Sequence, residues 1–313
     1  MKKIIIMGLL SLLVFSGCDP TMTITDLKPQ DDEGINPNGT PTRTITNPPS
    51  DPTYQPQMIT LLSWNIQNLG QKKAHNDFIM NTIAVKVNQY DIVAIQELSN
   101  INEIVDEDCS RNANAMGETN YKMIQNALTP FLDDGYRFAI SPQIDDERYM
   151  FIYNANKISF KGCSVAYDDN SGQLCEKSDK GLMKREPYIC DFGVGGASFR
   201  IGNVHTSPSN NFNELMGLNI IYQQELEKDN DLIMVGDMNL DCDYIKDGNP
   251  LSEYKFIKFD DTTVYDGTTC GYDVIMYDNL TQIKILKAGL DRKNVNGEIS
   301  DHYPVYAQIG INP

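Results

Sequence analysis

Five short segments far apart in the chain carry side chains suited to chemistry on a phosphate ester. Leu61-Leu62-Ser63-Trp64-Asn65 and Ile92-Val93-Ala94-Ile95-Gln96-Glu97 are mostly apolar runs that each end in an oxygen-bearing residue. A strand in each would carry Asn65 and Glu97 to a sheet edge, where a hard cation can be held. A magnesium-like ion takes few protein oxygens and keeps several waters, so Glu97 with Asn65 suffices, and Asp301 joins them. Asn203-Val204-His205, Val235-Gly236-Asp237-Met238-Asn239 and Ser300-Asp301-His302 complete the set. Asp237 and Asn239 stand two apart, so on an extended segment they face the same way. Hydrolysing a phosphodiester needs charge neutralised on the phosphate, a water made nucleophilic and a leaving alkoxide stabilised or protonated. Acids, amides and imidazoles, the last with a pKa near working pH, are the residue types for those three tasks.

Taken singly, each segment also has a plainer reading. A strand-end acid such as Glu97 can cap a nearby amide, Asp237-Met238-Asn239 can close an Asx turn, and a lone histidine is usually satisfied core. The chain has three histidines, and two of them fall in these segments. His75, in a polar stretch before an expected helix, reads as surface.

In number and order, these segments resemble the endonuclease/exonuclease/phosphatase superfamily, over nearly everything after the N-terminal leader. Glu147-Arg148-Tyr149-Met150-Phe151-Ile152-Tyr153, Arg185-Glu186-Pro187, His205-Thr206-Ser207-Pro208-Ser209, Gly236-Asp237-Met238-Asn239-Leu240-Asp241-Cys242 and Cys270-Gly271-Tyr272-Asp273 resemble its secreted deoxyribonuclease I branch. That resemblance implies an α/β (α+β) fold, a four-layer sandwich of two packed mixed sheets flanked by helices. It implies that Glu147 orients His205, that Asp273 orients His302, and that Asp237 and Asn239 polarise the water and hold a phosphate oxygen. Magnesium or manganese would sit at Asn65, Glu97 and Asp301, and DNA phosphates would meet Arg148 and Arg185. Acidic loops suit calcium, and the resemblance assigns Asp261 with Thr263 to one structural site and Asp169 with Glu186 to another; solvated acidic loops are the alternative. It also implies a Cys242–Cys270 disulfide.

Two departures bear on substrate. Leu98-Ser99-Asn100 replaces the Arg that the family places beyond its metal Glu to enter the minor groove, and Asp145 replaces the Tyr two before Glu147. Losing the Arg removes a positioning contact and part of the shape readout; Arg148, Lys184, Arg185 and the Lys72-Lys73 pair remain for phosphates. The leading reading is a divalent-metal endonuclease cutting DNA with low sequence specificity. Its rival is a superfamily phosphatase or phospholipase acting on phosphate monoesters or lipid headgroups. A non-catalytic binding protein would show decay of the metal and histidine positions, and none is lost.

Met1-Lys2-Lys3, an apolar stretch Ile4 to Phe15 too short to span a bilayer, and Ser16-Gly17-Cys18 resemble a bacterial lipoprotein signal with a lipidated Cys18; an ordinary secretory signal cut nearby is the alternative. Residues 19–56, rich in Pro, Thr, Asn and Asp, lack the apolar surface to offset the entropy of ordering and read as a disordered tether. Residues 57–313 then form one catalytic domain, read as a monomer held at the periplasmic or outer surface of a membrane. A formal charge of −17 excludes a tight grip on nucleic acid through Lys and Arg, but not a nuclease whose cations bridge acidic protein to polyanion. Six cysteines besides Cys18, with no C-x-x-C pair, favour disulfides over zinc in an exported chain. Cys163 and Cys190 lie on strands that the family pairs, so they could join, which leaves Cys109 and Cys175 unassigned.

To position these side chains the chain offers strand signals at Ile59 to Trp64, Ile92 to Ile95, Met150 to Tyr153, Tyr188 to Phe192, Phe199 to Val204, Leu232 to Val235, Val274 to Tyr277 and Val305 to Ile309. Phe78, Ile79, Ile83, Ala84 and Val87 fall at helical spacing, as do Tyr121, Ile124, Leu128 and Leu132. Strands outnumber helices, as two packed sheets with helices outside require.

Overall fold

A computed structural model of the chain describes residues 57–99, 118–168, 181–240, 248–257, 259, 263–264 and 271–312. In chain order the elements are β1 (Met58–Asn65), α1 (Gln71–Ala74), α2 (Asp77–Val87), β2 (Ile92–Ser99), α3 (Glu118–Leu128), β3 (Tyr136–Ile140), β4 (Glu147–Asn154), β5 (Ser159–Val165) and β6 (Tyr188–Val194). They continue with β7 (Ala197–His205), α4 (Asn211–Leu226), β8 (Leu232–Asp237), β9 (Lys255–Ile257), β10 (Asp273–Tyr277), β11 (Ile283–Leu290) and β12 (Val305–Ile311). Two six-stranded sheets result, in the orders β11-β12-β1-β2-β4-β3 and β5-β6-β7-β8-β10-β9.

Each sheet is centred on one parallel pair, β1 with β2 and β7 with β8, and every other pairing is antiparallel. A parallel pair needs a crossover, which α2 supplies in one sheet and α4 in the other. Central strands are covered on both faces, which is why Ile92-Val93-Ala94-Ile95 is a continuous apolar run rather than an alternating one. Along β1 the period of two sends Ile59 and Leu61 into the cluster between the sheets and Leu62 and Trp64 into the cluster under α2 and α3. A third cluster packs Val204 and Met234 of the second sheet against Leu215, Leu218 and Tyr222 of α4. Three apolar interfaces separate four layers, so the expected sandwich is the observed architecture.

Local chemistry explains where the helices begin and end. The Asn76 side chain accepts from Phe78 N and Ile79 N to cap α2. Phe78 itself is exposed, so the apolar stripe of α2 begins at Ile79. Helix α3 stops at Leu128, and Thr129-Pro130-Phe131 tightens into a 3₁₀ turn because Pro130 offers no N–H to continue the ladder. The sequence reading passed over β3, β5, β9, β11 and α4. Most of these strands are edges or carry exposed positions, and β11 is broken by a bulge between Ile285 and Lys287; α4 hides its Leu215, Leu218, Tyr222 spacing among Asn and Gln.

Strands β5 and β6 pair Cys163 directly with Cys190, and the two form a disulfide across a separation of 27 residues. Cys18, Cys109, Cys175, Cys242 and Cys270 lie outside the described residues. Among the described residues no helix is long and apolar enough to cross a membrane. Closing a loop of this length stabilises by on the order of 3 kcal/mol in the chain-entropy account. Exchanging both Cys163 and Cys190 for Ala should therefore lower the denaturant midpoint of unfolding, and an unaltered midpoint would show that the bridge contributes nothing.

Candidate active site

The two parallel pairs deliver their C-terminal ends to one rim, the place where open sheets of this kind bind ligands. Asn65 ends β1, Glu97 lies near the end of β2, His205 ends β7 and Asp237 ends β8. The neighbours β4 and β10 run antiparallel to β2 and β8, so they start where those strands finish, with Glu147 and Asp273. In the second sheet His205, Asp237 and Asp273 stand side by side in register. His302 comes three residues before β12, which is antiparallel to β1. Each of these placements is a consequence of strand direction.

The backbone bends at three of these positions. Glu97 has φ 59° and falls where the β2–β4 register shifts between Ile95 and Leu98, so a bulge turns its side chain out of the ladder. Asn239 has φ 45°, and both conformations belong to a region that non-glycine residues occupy at a cost of roughly 1–3 kcal/mol. At Gly236, with φ +146°, an added Cβ would lie 1.8 Å from Val204 O, so only glycine lets β8 approach β7 there.

Each histidine is backed by a carboxylate at Nδ1 and faces Asp237 at Nε2. Glu147 Oε1 and Oε2 lie 2.8 and 3.1 Å from His205 Nδ1, and Asp273 Oδ2 lies 2.7 Å from His302 Nδ1. Asp237 Oδ2 is 3.6 Å from His205 Nε2 and 3.5 Å from His302 Nε2. Burial pulls the His205 ring down, but Glu147 and then Asp237 outweigh it and the ring is raised above its ordinary value. For His302 burial again lowers, while Asp273, Asp237 and Asp301 lift the ring to about 10. Asp273, wholly buried, is itself pushed up by burial beyond what His302 offsets. Both shifts favour a proton held along the Nδ1···Oδ2 contact.

The plainer roles of Glu97 and Asp237 exist too, each on its own oxygen. Asp237 Oδ1 accepts from Asn239 N at 2.9 Å, an Asx turn, while Oδ2 meets the rings. Glu97 Oε2 accepts from Asn68 N at 2.8 Å while Oε1 accepts from Asn65 Nδ2 at 2.9 Å. The same Asn65 Nδ2 reaches Asp237 Oδ2 at 3.1 Å, joining the two sheets. Asn239 Nδ2 donates to Thr206 O at 2.6 Å.

A divalent cation is what the family implies here, and the donors suit one. Asn65, Glu97 and Asp301 offer oxygen alone, and Asp301 Oδ1 is a buried oxygen with no hydrogen-bond partner. Among the described residues no three His, Cys, Asp or Glu groups gather closely enough to hold a metal by themselves. An ion beside Glu97 would therefore lean on amide oxygen and water. The Asn65 oxygen accepts from Gln67 N at 3.0 Å, which leaves its second lone pair for a cation.

Several expected roles fall differently. Thr263 is fully buried; its hydroxyl accepts from Tyr272 N and Asp273 N and its carbonyl from Tyr303 N. These bonds tie Thr263 to the strand that carries Asp273 and to the residue after His302. Asp169 and Asp261 lie outside the described residues, and Glu186 is half-buried. Arg185, expected at a DNA phosphate, is buried against Glu147, with its Nε 3.3 Å from Oε1 and 3.1 Å from His205 O. Arg148 is buried too and donates to Ser141 O. Both guanidiniums act within the protein, where Arg185 fixes the Glu147–His205 contact. Lys184 is paired with Asp145 at 2.9 Å, so the residue standing where the family has Tyr also takes up that ammonium. His75 is exposed as expected.

Three residues unforeseen from sequence also shape the site. Gln96 Nε2 donates to Asn203 Oδ1 at 2.6 Å, a buried bond between the sheets, and Asn211 Nδ2 donates to Met238 O and Asn239 O. The polar Gln96 and Asn203 inside apolar runs were the available signal.

No family model matches the chain. Deoxyribonuclease-1 of Bos taurus is 26% identical over 276 residues, covering 79% of this chain and 90% of its own. An endonuclease/exonuclease/phosphatase family protein from Leptotrichia buccalis is 20% identical, covers 81% of this chain and 100% of its own, and superposes with a TM-score of 0.56. A mannosyl-6-phosphatase from Bacteroides thetaiotaomicron does so at 15% identity, 80% and 99% coverage and a TM-score of 0.55. With its two six-stranded sheets and its rim of paired acids and histidines, the chain has the fold of these endonuclease/exonuclease/phosphatase family proteins and is similar in sequence to deoxyribonuclease-1.

Proposed function

We propose that the chain is a phosphodiesterase that hydrolyses DNA by a divalent-metal-dependent reaction with low sequence specificity. The observation carrying this reading is the pair of imidazoles that meet one carboxylate, Asp237, each ring held from behind by its own acid. Asp237 takes a proton from the attacking water as the water oxygen bonds to phosphorus. As the bond from phosphorus to the leaving oxygen breaks, an imidazolium N–H, at His205 or His302, gives that oxygen a proton. Raised ring pKa values favour the charged form of both histidines, in which they also neutralise the phosphate. A cation bound by Glu97, Asn65 and Asp301 would supply Lewis-acid stabilisation of the phosphate oxygens. Similarity to deoxyribonuclease-1 of Bos taurus supports DNA as substrate.

A second reading has its own support. The burial of Arg148 and Arg185 and the Lys184–Asp145 pair leave few of the expected phosphate contacts for a long polyanion. A phosphatase or phospholipase, gripping its substrate at the reacting phosphate, would need none. Supercoiled plasmid, RNA, para-nitrophenyl phosphate and sphingomyelin, each with magnesium plus calcium and with chelator, separate the two readings. We place the enzyme outside the cytoplasm, tethered through residues 19–56 to a lipidated Cys18, a location that the leader sequence and the Cys163–Cys190 bridge support.

Replacing His205 or His302 by Ala should leave the fold intact and lower plasmid nicking by about a hundredfold to ten-thousandfold, the contribution typical of acid-base groups; near-wild-type nicking by either variant would remove its assigned role. Asp237→Asn should abolish turnover while substrate affinity holds or rises, because a repulsive charge beside the phosphate has gone. Glu97→Gln should shift the magnesium dependence instead, with part of the activity recovered at high metal. Recovery of Asp237→Asn by excess magnesium would make Asp237 a metal ligand and reverse that division of labour.

A further inference from the structure

Lys73 is expected from sequence at a phosphate, yet its ammonium sits between the two loops that carry the candidate cation donors. It donates to Ile66 O at 3.2 Å, to Gln67 O, and to Ile299 O at 2.7 Å. An ammonium has three protons, and here each has a backbone carbonyl. Ile66 and Gln67 directly follow Asn65, and Ile299 lies two residues before Asp301 and three before His302. The side chain of Gln67 donates in turn to Asp301 Oδ2 at 2.8 Å. Other bonds across this junction, Ser300 Oγ to Asn65 O and Trp64 Nε1 to His302 O, come from neutral donors.

The geometry points to Lys73 as a positioning residue, a charged clamp that holds the Asn65–Gln67 loop against the Ile299–His302 loop and so keeps Asp301 and Asn65 in register for the cation. Its stem is half-buried, and burial depresses its pKa to about 8 even though Asp301 and Glu97 pull the other way. Those two carboxylates are the acidic members of the candidate cation site, so the ammonium also offsets their mutual repulsion across the rim. A neutral side chain would leave three carbonyls without their donor and the two loops without their tie. The inference rests on the cation reading proposed above.

Trp64 is the chain's single tryptophan, fully buried with its indole on His302 O, and it reports this junction without any need for turnover. Full-length protein titrated with Mg2+ alone while Trp64 fluorescence is recorded should respond, and Glu97→Gln should weaken that response. Lys73→Met should raise the half-saturating Mg2+ concentration by about tenfold to a hundredfold, the range typical when a supporting partner of a metal ligand is lost. It should lower kcat more than it changes KM, and Lys73→Arg should recover part of both. Metal-free Lys73→Met should also let acrylamide quench Trp64 faster. A Lys73→Met protein with wild-type Mg2+ response and wild-type quenching overturns the clamp; if that variant does not fold, Lys73→Gln under the same two readouts decides. If wild-type protein gives no Mg2+ response while Lys73→Met still quenches faster, the clamp stands and the cation reading falls.

Discussion

One carboxylate oxygen, Asp237 Oδ2, gathers the site around itself. Within 3.6 Å of it lie His205 Nε2, His302 Nε2 and Asn65 Nδ2, groups drawn from both sheets. Asp237 is only 2% exposed, and a charge so far out of water must be matched by donors or by opposite charge. Two rings whose cationic form Glu147 and Asp273 favour provide that match, and the same rings are the acids that the reaction calls for. Structural compensation and chemical competence are one requirement here.

Meeting it constrains the fold at a distance. Two histidines and two amides converge on Asp237 because β1 with β2 and β7 with β8 are parallel pairs ending at one rim while β4 and β10 start there. Behind the rim, the Gln96–Asn203 bond crosses between the sheets at full burial, so a relative slide of the sheets would strand polar groups in an apolar core. Left-handed backbone at Glu97 and Asn239 is held by the bonds around it: Leu69 N to Glu97 O, Asn239 N to Asp237 Oδ1 and Asn211 to Asn239 O. Local strain persists where neighbours over-determine it, and such positions collect at functional sites.

Central strands announced themselves in the sequence because burial on both faces forces continuous apolar runs, as in Ile92 to Ile95 and Leu232 to Val235. Edge strands such as β3 and β11, half in water, carry no such mark. Residue type and order likewise brought Asn65, Glu97, His205, Asp237 and His302 together on the page. What single residues do not reveal is how a charge is shared out. Arg185 reads as a phosphate contact until burial against Glu147 and His205 O assigns it an internal task, and Thr263 reads as a cation ligand until two backbone N–H groups occupy its hydroxyl. Lys73 reads as a phosphate contact beside Lys72, and only the fold brings Ile299 to its ammonium.

The central claim is that Asp237 and the backing acids raise the proton affinity of His205 and His302, and the most direct measurement is the titration of these two histidines by NMR on metal-free protein. The ordinary imidazole value is about 6.5. His205 should titrate above it and His302 far above it, toward about 10. Removing the Asp237 charge as Asp237→Asn should lower both, since the imidazolium then loses an opposite charge. Titration of His205 and His302 at or below the ordinary imidazole value, unmoved by Asp237→Asn, would contradict the account.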